Sequence, residues 1–236
     1  MSTKSFDVVI PCFNPRDGWA EYLSNSLLKL SEFLPNHRID KVFVVNDGSE
    51  NDIKNDLSSL PKGSVDFQLV EHKSNRGKGA AIKTGLKHCE SPLILFTDVD
   101  IPYQLQDMAM MLEVVESDEI DLALSIRGDT YHESLSDFRR LVSKGLISLN
   151  KKLFRLSIGD TQGGLKVMNR KGAEAFLETK IDRYLFDLEA MKIASGKGLK
   201  IKGVEVRLRD RIELPSLGFK VLLQEFGNLL KLLFRS

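Results

Sequence analysis

Cysteine is nearly missing from this chain of 236 residues, where only Cys12 and Cys89 occur. Two thiols so far apart form no metal-ligand spacing and read as the reduced, buried thiols of a cytosolic protein. An excess of one charge is missing too. The formal net charge is +1, so no strongly basic field exists to hold nucleic acid, and no nucleic-acid partner is expected. No apolar run approaches the length of a membrane-spanning helix, and the N-terminus enters a strand pattern with no signal-peptide core ahead of it. Linkers rich in proline, glycine and serine, blocks of charge and internal repeats are also absent, which favours one large domain over two small ones.

Several chemical signatures are absent as well. Gly77-Lys-Gly79-Ala-Ala-Ile82 lacks the third glycine of a dinucleotide fingerprint and follows a polar loop. The Walker A spacing fails at His72 and Gly79. There is no His-Glu-x-x-His helix and no Gly-x-Ser-x-Gly elbow, so dehydrogenase, P-loop and hydrolase readings lose their usual support.

What is present is an alternation of short apolar runs with helical patterns. Phe6–Ile10, Lys41–Asn46, Phe67–Val70, Leu93–Thr97 and Asp121–Ser125 read as strands, with helices over Ala20–Leu34, toward Leu60, Gly77–His88 and Leu105–Val115 between them. That order predicts a mainly parallel sheet covered on both faces, with ligands held beyond the carboxyl ends of its strands. Later segments predict a basic helix over Ser136–Phe154, a strand-like Leu165–Met168, helices near Gly172–Glu178 and Phe186–Ser195, and a late strand over Lys200–Leu208. The polar tips Pro11-Cys-Phe-Asn14, Asn46-Asp47-Gly48-Ser49 and Asp98-Val-Asp100 follow three of the strands and are expected in one crevice. In an extended segment Asp98 and Asp100 would point the same way and converge on one hard divalent cation shared with nucleotide phosphates.

The ordered set Val9-Ile-Pro11-Cys-Phe-Asn14, Val45-Asn46-Asp47-Gly48-Ser49, Asn75-Arg-Gly77-Lys78-Gly79, Asp98-Val-Asp100, Arg127, Asp160-Thr-Gln-Gly-Gly-Leu-Lys166 and Phe186-Asp187-x-Glu189 resembles the family 2 glycosyltransferases with the GT-A fold. The resemblance covers nearly the whole chain. The Asp-Thr-Gln-x-Gly-x-Lys element looks like the branch that contains dolichyl- and polyprenyl-phosphate sugar synthases.

The resemblance implies an α/β chain with a GT-A domain over residues 1–216, and the periodicity of the remainder predicts an amphipathic helix over 217–236. It implies a metal-dependent, inverting transfer from a nucleotide-diphosphate sugar, a UDP-sugar or GDP-mannose, with Mg²⁺ or Mn²⁺ held by Asp98 and Asp100. Donor contacts fall on Pro11, Phe13, Asn14, Asp47, Gly48, Lys78, Asp98 and either Arg209 or Arg211. Asp47 would accept from the imide N–H of a base, although Asp-Gly-Ser also favours a plain Asx-turn. Lys78 would meet phosphate, against the alternative of a solvated loop lysine. Asp100, Asp160, Asp187 and Arg127 are the implied catalytic set, with Glu189 reaching the same cleft. Arg139, Arg140, Ser143 and Gln162 would receive a polyprenyl phosphate, the implied acceptor. A polysaccharide or small-molecule hydroxyl, and a noncatalytic nucleotide-sugar-binding protein, are the alternatives.

Two departures stand out. Pro15 and the inserted-looking Arg16-Asp-Gly-Trp19 replace the glutamate that commonly follows the first motif, and Ile101-Pro102-Tyr103 replaces the Leu-Gln of dolichyl-phosphate mannose synthases. The tail carries Phe219, Leu222, Leu223, Phe226, Leu229, Leu230, Leu233 and Phe234 at helical spacing, with Lys220, Lys231 and Arg235. Such a stripe suits a membrane interface, its own domain or a second subunit. The expected location is therefore cytoplasmic, with peripheral contact at the inner face of a membrane or a homodimer through the tail as its further associations.

Overall fold

The computed structural model describes residues 3–61, 65–117, 119–127, 163–183 and 185–209. The expected helices at 136–154 and 219–234 lie outside them, as do Arg139, Arg140, Ser143, Asp160, Gln162 and Arg211.

The first apolar run forms β1 (Lys4–Cys12), followed by α1 (Trp19–Glu32), β2 (His37–Asn46), α2 (Ile53–Ser58), β3 (Phe67–Glu71), α3 (Lys78–His88), β4 (Leu93–Phe96), α4 (Leu105–Ser117) and β5 (Leu122–Arg127). After the next described residues come β6 (Lys166–Asn169), α5 (Arg170–Leu177), α6 (Phe186–Gly196) and β7 (Ile201–Val206). The strands make one sheet in the order β3-β2-β1-β4-β6-β5-β7. All pairings are parallel except those of β6, which runs antiparallel to both β4 and β5. The mainly parallel α/β sheet read from the sequence is the one observed.

Strand periodicity explains the two-layered core. Val8, Ile10, Val42, Val44, Leu93 and Leu95 face the α1/α4 side with Leu23, Leu27, Met108 and Leu112. Their neighbours Val9, Phe43, Ile94 and Phe96 face the other side, where Ile82, Phe176, Phe186 and Met191 of α3, α5 and α6 cover them. Both faces are therefore apolar, which is why these strands read as continuous hydrophobic runs. Phe96, Phe176 and Phe186 form an aromatic cluster with centroids 5.5–6.5 Å apart, and each fully buried ring stabilises by about 1.5–3 kcal/mol. Cys12 and Cys89 are buried and free, and burial pushes both thiols up to about 12. The inserted-looking segment before Trp19 is the entry to α1, where the indole N–H donates to Asp56 (2.7 Å).

Candidate active site

The carboxyl ends of β1, β2 and β4 meet along one edge of the sheet, and short hydrogen bonds lock their tips together. Pro11 is paired with Val45 near the end of β1. Beyond it the Phe13 ring is 50% exposed, and Asn14 turns at a φ of 44°. The Asn14 N–H donates to Ser49 Oγ and its Oδ1 accepts from the Glu50 N–H, both at 2.9 Å, which joins the β1 tip to the β2 tip. Gly48 makes that turn at a φ of 75°.

Asp47 is buried, and its carboxylate faces the chain's own next loop. It accepts from the N–H groups of Arg76 (2.9 Å) and Gly77 (2.7 Å), and His72 Nδ1 lies 2.7 Å away. Thr84 Oγ1 sits 2.9 Å from the other ring nitrogen of His72. Three of roughly four acceptor directions are thereby used, so Asp47 acts first as the post on which the Arg76–Lys78 loop is built. That loop delivers Gly77 at a φ of 106°, where a Cβ would lie 2.6 Å from the Asp182 carbonyl oxygen. Glycine alone fits, and α3 starts at once with Lys78.

The structure corrects the expected geometry of the acidic pair. β4 stops at Phe96, and Asp98–Ile101 is a turn closed by the Ile101 N–H on the Asp98 carbonyl (3.0 Å), with Ile101 at a φ of 37°. The two carboxylates are thus neighbours through a turn, not through strand alternation. Asp98 Oδ1 receives the Lys78 ammonium at 2.5 Å. Burial disfavours the charge on Lys78, yet Asp98, with Asp187 and Tyr103 behind it, holds the ammonium above the usual lysine range. Asp100 is exposed at the crevice mouth. Its carboxyl is raised, first by partial desolvation and then by the Asp98 charge, with Lys78 and Arg16 opposing.

Behind this pair lies a second one. Lys166 is wholly buried, its ammonium 2.7 Å from Asp187 Oδ1, 2.7 Å from the Gly163 carbonyl and 5.0 Å from the Phe96 ring centroid. Burial raises the Asp187 carboxyl, and Lys166 pulls against it. β6 brings these groups in: a Cβ on Gly164 would stand 2.3 Å from Asp98 Oδ2 and 3.2 Å from Tyr103 Oη. The Gly164 N–H donates to that phenol at 2.7 Å, and burial pushes Tyr103 up to about 12.

The profile of glycosyl transferase family 2 matches residues 7–177. The chain belongs to that family. Among curated relatives, a dolichyl-phosphate beta-glucosyltransferase of Trichomonas vaginalis is 26% identical over 210 residues, covering 86% of this chain and 65% of its own length. The enzyme of that name in Mus musculus is 28% identical over 218 residues, covering 86% and 67%. The family 2 chain thus spans about two-thirds of the length of these relatives. A solved glucosyl-3-phosphoglycerate synthase of Mycobacterium tuberculosis superposes with a TM-score of 0.66 at 17% identity, covering 98% of this chain and 81% of that one. The same enzyme in complex with Mn²⁺ and UDP-glucose gives 0.61 at 18%, covering 98% and 79%. The sheet is therefore the expected GT-A arrangement.

Within this family 2 site, several residues stand elsewhere than the sequence suggested. Glu189 is engaged with the chain's own backbone. Two positions along a helix turn a side chain to another face, and Glu189 accepts instead from the N–H groups of Lys180 (2.9 Å) and Ile181 (2.8 Å). Arg209 reaches α1: it donates to the Tyr103 carbonyl (3.0 Å), Tyr22 Oη (2.6 Å) and Ser26 Oγ (3.2 Å), so a donor contact would have to replace these bonds. Gln104 turns to the Leu208 carbonyl. Arg127 ends β5 opposite Val206. The sequence offers Lys166 only as the end of the Asp-Thr-Gln-x-Gly-x-Lys element, and it gives no role to Lys166, Tyr103 or His72. A lysine inside an apolar strand buried on both faces was a signal available for Lys166, whereas Tyr103 and His72 carried none.

Proposed function

We propose that this chain is an inverting, metal-dependent glycosyltransferase that moves a sugar from a nucleoside-diphosphate donor to the phosphate of a polyprenyl lipid. The observation that carries the reading is the Lys78–Asp98–Asp100 cluster at the joined tips of β1, β2 and β4, in a chain whose relatives are dolichyl-phosphate beta-glucosyltransferases. A uridine nucleotide is the base to test first, because solved neighbours of the same fold bind UDP and UDP-glucose.

The residues fit a hard cation. Asp98 and Asp100 leave one tight turn, closed by the Ile101 N–H on the Asp98 carbonyl, and a divalent ion relieves such crowding of like charge. Among the described residues no cluster of three His, Cys, Asp or Glu completes a shell. That suits Mg²⁺ or Mn²⁺, which take one or two carboxylates and fill the remaining positions from phosphates and water. When bound, the cation neutralises charge on the departing nucleoside diphosphate.

The chain's own groups supply the rest. Asp47 and His72 hold the loop that presents Lys78, and the exposed Phe13 ring offers a flat face to a base. Inversion follows from direct displacement at the anomeric carbon. A phosphate acceptor is already anionic near neutral pH and needs no strong base. Asp187, buried against Lys166, therefore acts as a fixed charge behind the reacting groups. Arg127, Arg139, Arg140, Ser143 and Gln162 are assigned to the acceptor phosphate, guanidinium binding oxyanions bidentately. Asp160 is assigned to the reacting centre and Arg211 to the donor diphosphate.

The test is transfer of radiolabelled glucose from UDP-glucose, or mannose from GDP-mannose, to a short-chain prenyl phosphate with Mn²⁺. A lipid-extractable, acid-labile product is expected. Asp100→Ala should melt like the wild type and lose about 10²–10³ in rate. Label appearing only on a soluble hydroxyl acceptor would replace the lipid-phosphate reading, and donor binding without turnover would replace the enzymatic one.

A further inference from the structure

Lys78 is paired with the first aspartate of the acidic pair. Its ammonium is 2.5 Å from Asp98 Oδ1, and the charge of buried Asp187 acts on it from behind. The other oxygen of Asp98 is pressed against Gly164, where even a methyl group would lie 2.3 Å away. The lysine holds Oδ1. A cation that binds Asp98 therefore meets an ammonium already paired with its carboxylate.

Charge accounting sharpens the conflict. Among the described residues Lys78, Lys166 and Arg16 stand against Asp98, Asp100 and Asp187, so the charges of the cluster balance. A divalent ion alone would leave an excess of positive charge beside a partly buried ammonium. A nucleoside diphosphate restores the balance and offers the ammonium new oxygens. Lysine suits such a transfer, since it is a point charge on a flexible stem, and here the stem is rooted at the rigid first turn of α3.

We infer that Lys78 is a resident counter-cation of Asp98 that opposes metal entry in the free protein and passes to the donor diphosphate on binding, so that this lysine couples metal affinity to nucleotide affinity. The inference rests on the metal site proposed above. It predicts that metal and nucleotide bind cooperatively, and that this side chain adds to the coupling that shared phosphate ligands supply.

The experiment measures Mn²⁺ binding to the full chain by electron paramagnetic resonance of the free ion. UDP or GDP is absent or present, with correction for the Mn²⁺–nucleotide complex in solution. In the wild type, nucleotide should tighten Mn²⁺ binding by about fivefold or more, within the usual range of coupling between sites. Lys78→Met should bind Mn²⁺ alone more tightly than the wild type, and nucleotide should then tighten that binding by a smaller factor than in the wild type. Lys78→Arg keeps the charge and should retain the wild-type coupling, with circular dichroism checking that each variant is folded. Wild-type binding of Mn²⁺ that is measurable yet indifferent to both nucleotides overturns the inference without reference to any variant. So does a folded Lys78→Met with unchanged or weaker Mn²⁺ affinity, and in either case the metal site stands. Absence of Mn²⁺ binding by the wild type in all arms overturns the metal site and the inference together.

Discussion

Lys166 and Asp187 show how expensive chemistry is kept inside a sheet. A wholly buried ammonium is tolerated because a carboxylate, a backbone carbonyl and an aromatic face receive it. Removing one partner leaves the other charge unpaired in low dielectric, which costs about 3–5 kcal/mol, whereas removing both is far cheaper. Lys166→Met should therefore be severely destabilised in urea titrations, and Lys166→Met combined with Asp187→Asn should recover part of that loss. Additive losses in the double variant would show that the two side chains do not compensate each other. The strained Ile101, a β-branched residue at a φ of 37°, lies in the turn that positions Asp98 and Asp100, where backbone cost is offset by complete burial of its side chain.

At the scale of elements, the carboxyl ends of the strands are held by side chains from elsewhere in the chain. Arg207, just after β7, is fastened to Asp107 of α4 by its backbone N–H (2.7 Å) and by two guanidinium bonds (3.1 and 2.7 Å). Arg207 holds the Asp107 carboxyl below the ordinary carboxylate range, mainly through those side-chain hydrogen bonds. A carboxyl whose folded value is depressed stabilises the fold above its unfolded value, near about 3.9, and loses that contribution as pH falls through the folded value. Arg207→Ala should thus melt below the wild type at pH 7. The gap should close on acidification through and below the carboxylate range, as read by thermal denaturation at a series of pH values. A gap independent of pH would assign the loss to packing of the arginine stem instead. β6 is the other decisive element: running antiparallel between β4 and β5, it places Gly164 against Asp98 and Lys166 against Asp187.

For the molecule as a whole, the proposed lipid acceptor makes a demand on the chain. Among the described residues no helix is long and apolar enough to cross a membrane. The apolar residues from Phe219 to Phe234, with Lys220, Lys231 and Arg235, have the composition of a segment that lies in a headgroup layer. Since a lipid-linked phosphate sits at that depth, the full chain is expected to co-sediment with anionic liposomes, and a chain ending at Ser216 to remain in solution. Truncation that instead unfolds the protein or splits a dimer, with no retention of the full chain by any lipid, would make the tail a packing element.

The sequence by itself determined the strands, the helices that alternate with them and the tips that carry the polar groups. Those depend on local periodicity: Val8, Val9 and Ile10 must alternate between two apolar layers whatever the rest of the chain does. It also announced Asp98 and Asp100, because charge at the end of a buried run is visible without coordinates, while Lys78 and Asp187 entered through the resemblance to the family. The use of each group was decided only by the tertiary structure. Asp47 turned to a loop 29 residues later, Glu189 to a neighbouring turn and Arg209 to α1, across 187 positions of sequence. Spacing along a chain records which side chains leave an element together, but the groups a side chain meets depend on distant backbone. Beside Asp98 that backbone is Gly164, delivered by an antiparallel strand to a carboxylate whose sequence neighbours give no hint of it.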